Sequence, residues 1–160
     1  MSTDPHDAER DAVRQRLYEL FDGMGTPIDT KRQRALELGC AYLGVTNGHI
    51  QRRTDDGTDE VVASAGENPD LFPEGAVLDR ATTYCRRTVE SHSPLALSNV
   101  PEQGWAEDPA YAEHDIDCYL GTTIFVDGAI YGTVCFTAED PRETDFTADE
   151  KAFVELIARL

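Results

Sequence analysis

The chain has 160 residues, of which 40% are hydrophobic and 28% are charged, a composition typical of one globular domain and not of a disordered segment. Its 31 acidic residues outnumber its 14 basic residues, so the formal net charge is −17. This charge indicates adaptation to a salty cytoplasm, and it argues against direct binding to nucleic acid or anionic lipid, since both require a basic surface.

Targeting segments are not indicated by the sequence. The first ten residues, MSTDPHDAER, have neither the basic region nor the apolar region of a secretory signal. No apolar run approaches the ~20 residues of a membrane span. We therefore expect a cytoplasmic protein that does not contact a membrane. In such a chain, four cysteines without a C-x-x-C pair are expected to be reduced thiols, some of them in the core. They are Cys40, Cys85, Cys118 and Cys135.

Two amphipathic helices are predicted at the start of the chain. In the first, Asp4 can cap the helix and Pro5 occupies the first helical position. The second is predicted to begin at Asp29 and to end at Gly44, because glycine favours the end of a helix. The apolar stripe of the first helix comprises Val13, Leu17, Leu20 and Phe21. The buried side of the second comprises Leu36, Cys40 and Leu43.

The middle of the chain is predicted to mix strands with one helix. Residues 47–66, NGHIQRRTDDGTDEVVASAG, have the pattern of two short strands joined at the DDG turn. Residues 76–91 are predicted to be helical. Residues 94–100, PLALSNV, are predicted to be extended, since proline disfavours a helical residue before it.

A second hairpin is predicted at residues 119–137, YLGTTIFVDGAIYGTVCFT. Two strand-like runs flank Asp127 and Gly128, a pair that favours a two-residue hairpin turn. This turn predicts the strand register, with Phe125 opposite Ile130.

The same register predicts which residues share each face of the hairpin. With Ile124 opposite Tyr131, one face is apolar and the other is mixed, which favours an antiparallel sheet covered on both sides. The apolar face comprises Phe125, Ile130, Val134 and Phe136. The mixed face comprises Thr122, Ile124, Tyr131, Thr133 and Cys135.

The last helix is predicted from a capping box in the sequence TADE, with Thr147 at the cap and Glu150 three residues later. An apolar stripe follows and continues to the last residue without a closing signal. We therefore expect residues 1–160 to be a single domain, with its core at about 10–160, from a longer signalling protein. The stripe comprises Phe153, Leu156, Ile157 and Leu160.

This order of elements resembles the GAF domain, a small-molecule sensor module related to PAS. The resemblance is strongest from the second hairpin, GTTIFVDGAIYGTVCF, to PRETDFTADEKAFVELIA, where GAF domains carry a glycine within the second strand and a Phe-Thr-Asp/Glu start to the last helix. YCRRTVES followed by PLALSNV is similar to the GAF segment that leads into its middle strand. The acidic composition is similar to that of GAF modules in halophile sensor kinases and bacterio-opsin-activator-like regulators.

The resemblance implies an α+β fold with a central antiparallel sheet of about six strands. Helices 1, 2 and the last would cover one face, and short helices would roof a pocket on the other. The mixed face of the second hairpin would be the pocket floor. The residues expected to bind a ligand are Cys85, Arg86, Trp105, Tyr111, Tyr119, Thr122, Ile124, Tyr131 and Thr133.

Cofactor motifs of the family are absent from the sequence. Some GAF domains attach a bilin through a Cys-His dipeptide, whereas here Cys85 precedes an arginine and Cys118 precedes a tyrosine. A structural zinc site needs four Cys or His ligands at short paired spacings, which the sequence lacks. No metal or other cofactor is therefore expected.

Three kinds of function fit these observations. The first is a regulatory module that binds an unidentified small molecule, forms a homodimer through its terminal helices, or does both, and acts on a covalently linked output domain. Another is a GAF-shaped spacer that has lost its ligand and only forms a dimer. The alternative is a free methionine-R-sulfoxide reductase, a GAF enzyme that would use Cys85 as nucleophile. The remaining cysteines do not match the spacing of that family, which favours the regulatory module.

Overall fold

A six-stranded antiparallel sheet forms the centre of the structure, a computed structural model that describes residues 5–22, 25–68, 70–90, 94–114 and 116–159. The strands are β1 (Asn47–Arg53), β2 (Thr58–Gly66), β3 (Val77–Asp79), β4 (Leu95–Leu97), β5 (Cys118–Val126) and β6 (Ala129–Ala138). They lie in the order β3-β2-β1-β6-β5-β4. The helices are α1 (Pro5–Asp22), α2 (Ile28–Leu43), α3 (Cys85–Glu90), α4 (Pro109–His114) and α5 (Ala148–Ile157).

The predicted helix ends are confirmed where local chemistry specifies them. The first residue of α1 is Pro5, as predicted, whereas Asp4 lies outside the described residues. Gly44 follows α2 in the left-handed conformation, with φ of 70°, and its backbone N–H donates to the Cys40 carbonyl oxygen. At α5, both hydrogen bonds of the predicted capping box between Thr147 and Glu150 are present.

The helix predicted at residues 76–91 is wrong over its first half. Val77–Asp79 forms an edge strand that pairs with β2, and a 3-10 turn follows at Arg80–Thr82. The Asp79 carboxylate accepts a hydrogen bond from the Ala81 backbone N–H and so caps this turn. Pairing with the sheet edge satisfies backbone groups that a helix would otherwise satisfy, and α3 therefore begins only at Cys85.

The predicted register of the second hairpin holds at the turn and fails beyond it. Asp127 and Gly128 both have positive φ, at 51° and 80°, and Phe125 lies opposite Ile130 as predicted. Tyr131 is then an extra residue of β6 with no partner in β5, because Ile124 lies opposite Gly132. A β-bulge of this kind moves every later residue of one strand by one position relative to its partner.

The helix-facing side of the sheet packs against α1, α2 and α5 in one apolar core. The bulge places Ile124 and Tyr131 in this core, although the sequence predicted them on the opposite face. Phe125 and Ile130 were predicted to pack there but lie at the hairpin tip with 60% and 42% of their surface exposed. The largest fully buried apolar side chains of this core are Leu17, Leu36, Leu120, Val134 and Phe136.

The terminal helices bury their apolar stripes within the chain's own core. Leu17 and Leu20 of α1 and Phe153 and Ile157 of α5 are buried there, and Leu156 is partly buried. The side chain of Phe21 and residue Leu160 lie outside the described residues. Less apolar surface is therefore left for a second chain than the sequence predicted.

A buried carboxylate joins both terminal helices to the segment that precedes α5. The Glu150 side chain is 0% exposed and lies 3.2 Å from Arg10 Nη2 of α1. It also lies 2.9 Å from Arg142 Nη1, in the segment between β6 and α5. Its capping role at Thr147 supplies a third contact, so the carboxylate is fully paired despite its burial.

No helix among the described residues is long and apolar enough to span a membrane.

Candidate functional site

The face of the sheet opposite the helix-side core, here called the roofed face, is covered by α3 and α4. Strands β1 and β6 pair so that His49 lies opposite Cys135 and Gln51 lies opposite Thr133. Because alternate residues of a strand point to the same side, all four side chains lie on the roofed face. All four are buried, as is Tyr119 of the neighbouring strand β5.

A pair of thiols lies at the centre of the roofed face. Cys85, the first residue of α3, places its Sγ 3.2 Å from Cys135 Sγ of β6. The Cys85 thiol donates to Gln51 Oε1 at 2.9 Å. The Tyr119 hydroxyl lies 3.2 Å from Cys135 Sγ and 2.8 Å from Thr88 Oγ1 of α3. This polar network holds the roof helix against the sheet.

The two thiols are not equivalent. Burial raises the pKa of Cys85 well above its usual value, and the neighbouring Cys135 raises it further. Burial also raises the pKa of Cys135, but hydrogen bonding with Cys85, Thr133 and Tyr119 outweighs that effect and holds the pKa below its usual value.

His49 lies beside this thiol pair. Its ring stacks on Phe72 with a centroid separation of 4.2 Å, and its Nε2 lies 2.7 Å from Gln51 Oε1. One ring nitrogen lies within 4.8 Å of both the Cys85 and the Cys135 sulfurs. Nδ1 is buried and has no hydrogen-bond partner among the described residues.

A small cleft opens beside α3 at the end of the roofed face. Its volume is about 10 Å³, and it is here called the arginine cleft. Arg80 is held in it by Asp59, at 3.2 Å between Nε and Oδ1. Arg86 donates from Nη2 to Asp108 Oδ2 at 2.8 Å. The lining residues are Gln51, Arg53, Asp59, Arg80, Cys85, Arg86, Val89, Gly132 and Thr133.

The predicted ligand-binding residues divide into three groups. Cys85, Arg86 and Thr133 line the arginine cleft. Three aromatic residues belong instead to the apolar cluster beneath the roof: Trp105, Tyr111 and Tyr119. The Tyr84 ring lies 5.0 Å from that of Tyr119 and 6.1 Å from that of Trp105, so these side chains fill the space under the roof.

The remaining three were predicted on the wrong face. Ile124 and Tyr131 are in the helix-side core, and the Tyr131 ring lies under the Arg32 guanidinium of α2. Thr122 lies opposite Val134, a residue of that same core. The physical reason is the bulge at Tyr131, which the regular pairing of a two-residue turn does not predict.

The sequence did not single out His49, Gln51 and Arg80, although a signal for the first two was present. In NGHIQRR, polar side chains at positions 49 and 51 alternate with Ile50, so both lie on one face once the segment is a strand. Cys135 was placed correctly on the mixed face. Its approach to Cys85 depends on how α3 docks, which no local pattern specifies.

The family of the chain follows from its sequence and its fold together. The family model of the GAF domain matches residues 27–160. The chain belongs to the GAF domain family. The six-stranded sheet with α1, α2 and α5 on one face agrees with the fold that the sequence predicted.

Solved structures with the same fold come from several bacterial proteins. The GAF domain of an Acinetobacter phosphoenolpyruvate-protein phosphotransferase has a TM-score of 0.74 at 16% identity, covering 99% of this chain and 90% of that one. The chromophore-binding domain of Stigmatella aurantiaca phytochrome P1 has a TM-score of 0.72 at 13% identity, covering 99% and 60%. The phycocyanobilin-bound GAF domain of a cyanobacterial phytochrome has a TM-score of 0.67 at 12% identity, covering 98% and 91%. No curated protein sequence matches the chain.

Proposed function

We propose that this chain is a sensory or regulatory domain of a signalling protein and that it binds a small anionic ligand at the mouth of the arginine cleft. The charge of the cleft carries the proposal. Three guanidinium groups and one carboxylate line it, in a chain whose net charge is −17. A positive cleft in a negative surface raises the local concentration of anions and favours their binding.

Arg53 is the guanidinium best placed to meet such a ligand. Arg80 and Arg86 are already paired with carboxylates, which fixes their positions and offsets much of their charge. Arg53 is exposed and forms no ion pair with a described residue. A guanidinium presents paired donors that match the geometry of a carboxylate or a phosphate.

The size of the cleft limits the ligand. Its volume of about 10 Å³ has room for little more than one water molecule, far below the ~300–1,000 Å³ of most small-molecule sites. Tyr84, Trp105 and Tyr119 pack in the apolar cluster under the roof and fill that space. A small anion such as phosphate or a short carboxylate would therefore lie at the mouth of the cleft, beside the exposed Arg53.

The proposal includes no catalytic step. A cysteine nucleophile reacts as its thiolate, which needs a lowered pKa and access to solvent. Cys85 is buried and its pKa is raised, so the reductase alternative is not favoured. We propose instead that ligand binding at the cleft changes the state of a covalently linked output domain. Homodimer formation through α1 and α5 and a cytoplasmic location stay predictions.

Isotope-labelled protein titrated with inorganic phosphate and then with small carboxylates tests the proposal. Backbone amide shifts should concentrate around the cleft and saturate, and Arg53→Gln should weaken binding about tenfold through loss of a charge-assisted contact. The matched control is Arg16→Gln, because Arg16 is an exposed arginine of α1 that does not line the cleft. Shifts spread over the whole surface, or an equal loss in both variants, would contradict a specific site.

A further inference from the structure

A second group of side chains on the roofed face shares only Cys85 with the arginine cleft. His49, Cys85 and Cys135 each present one donor atom, and the three atoms all lie within 4.8 Å of one another. They come from β1, α3 and β6, and all three residues are buried. They are here called the thiol–imidazole cluster. Two thiols and an imidazole are the donors that zinc and other thiophilic metal ions select.

The spacing of the cluster is close to that of a tetrahedral metal centre. Zinc–sulfur bonds of about 2.3 Å at tetrahedral angles place two sulfurs roughly 3.8 Å apart. The Cys85 and Cys135 sulfurs are 3.2 Å apart, so they need to separate by only about half an ångström. A side-chain rotation of that size leaves the strands and α3 in place.

The environment of the His49 ring also fits a metal ligand. Histidine ligands are normally oriented by a hydrogen bond at the second ring nitrogen. Here Gln51 Oε1 lies 2.7 Å from His49 Nε2, and Phe72 stacks on the ring. Nδ1 has no partner among the described residues although it is buried, and a buried nitrogen without a partner is costly unless water or an ion satisfies it.

A divalent metal ion would balance the charge of the cluster. On binding, the two thiols each release a proton to solvent, and the two thiolates neutralise the ion. The centre is then neutral overall, which avoids burying a net charge beneath the roof. Cys85 also lines the arginine cleft, which lies next to the cluster.

We propose that His49, Cys85 and Cys135 bind one zinc-class metal ion, with the fourth coordination position taken by water or another small donor. A disulfide between Cys85 and Cys135 accounts for fewer of the observations. Both cysteines are free, and a disulfide would leave unexplained the imidazole nitrogen that lies within 4.8 Å of both sulfurs. The metal centre would join three elements that are far apart in the sequence, and it does not require the anion proposed for the cleft.

Cobalt(II) titration of the reduced, metal-free protein tests this proposal. We expect thiolate-to-cobalt charge-transfer absorption that saturates at one ion per chain and disappears when zinc is added. Two protons should be released for each ion bound, which a weakly buffered titration with a pH indicator measures. Cys135→Ser and His49→Gln should each lose the high-affinity band, and circular dichroism should show that each variant is folded.

The matched control is Cys118→Ser, because Cys118 is also a buried free cysteine but belongs to the helix-side core. It should keep the full cobalt band. A folded wild-type protein without a thiolate–cobalt band would overturn the proposal, and so would a band that survives in both Cys135→Ser and His49→Gln. Formation of a Cys85–Cys135 disulfide with mild peroxide in a protein that takes up no cobalt would also overturn it, in favour of a redox pair.

Discussion

Replacing Glu150 by alanine should be among the most destabilising single changes in this domain. The carboxylate is fully buried between Arg10 and Arg142 and also accepts the Thr147 backbone N–H. Its removal leaves the two guanidinium groups without a negative partner. It also removes one of the two hydrogen bonds of the capping box of α5. The loss of stability arises mainly because the two arginine charges stay buried without a partner, and less from the attraction lost with the ion pairs.

The size of the effect can be worked from these contacts. Breaking a buried ion pair costs about 3–5 kcal/mol, and losing a helix cap costs about 1 kcal/mol. The side chains of Arg10 and Arg142 are 26% and 17% exposed, so water can partly solvate them once the carboxylate is gone. We therefore expect the free energy of unfolding to fall by about 3–4 kcal/mol. Domains of this kind have only about 5–15 kcal/mol in total.

Urea unfolding in molar salt, followed by circular dichroism, measures this loss. Glu150→Gln keeps the shape and the hydrogen bond to Thr147 but removes the charge, so it should fall between wild type and alanine. Glu155→Ala, an exposed glutamate of the same helix, is the control and should change the stability by less than about 0.5 kcal/mol. A loss below about 1 kcal/mol for Glu150→Ala would refute the assignment of Glu150 as the paired centre of this network.

Two further predictions concern solution conditions. Because the net charge is −17, the melting temperature should rise from dilute buffer to molar salt as self-repulsion is screened, and a salt-independent melting temperature would contradict the proposed adaptation to salt. Burial raises the pKa of Cys118 from 9.0 to about 12, so the folded state favours the neutral thiol. The stability that this supplies is complete below pH 9 and is lost as the pH rises towards 12. The urea midpoint should therefore fall above pH 9, and it should fall less steeply in Cys118→Ala than in wild type; parallel curves would show that Cys118 does not contribute.

Features specified by neighbouring residues could be predicted from the sequence. The turn at Asp127 and Gly128, the glycine that ends α2 and the capping box at Thr147 each depend on the chemistry of a few adjacent residues. The helix predicted over residues 76–91 failed because pairing with the edge of β2 outweighs helix propensity for Val77–Asp79. That pairing depends on a strand distant in the sequence.

The candidate site was the least predictable part of the molecule. The bulge at Tyr131 moved three predicted binding residues to the helix side, because one extra residue exchanges the faces of a strand. The thiol–imidazole cluster has no spacing motif, since His49, Cys85 and Cys135 meet only after two hairpins and α3 have packed together. The alternation of His49 and Gln51 could have indicated a polar centre under the roof, but not its partners.

The order of strands in the sheet also has a consequence for how the domain folds. Strands β1, β2 and β3 come from the first half of the chain, and β4, β5 and β6 come from the second. Within the described sheet, the pairing of β1 with β6 alone joins the two halves. It closes a long loop, so its entropic cost is high and its formation is expected late in the folding reaction.

This late junction lies directly beneath the roofed face, where His49 and Cys135 are opposite one another. An ion or ligand bound there stabilises the junction between the halves and not either half alone. Its binding free energy should therefore slow the global opening measured by amide hydrogen exchange in both hairpins together. Occupancy of the site would then determine how often the two halves of the sheet separate.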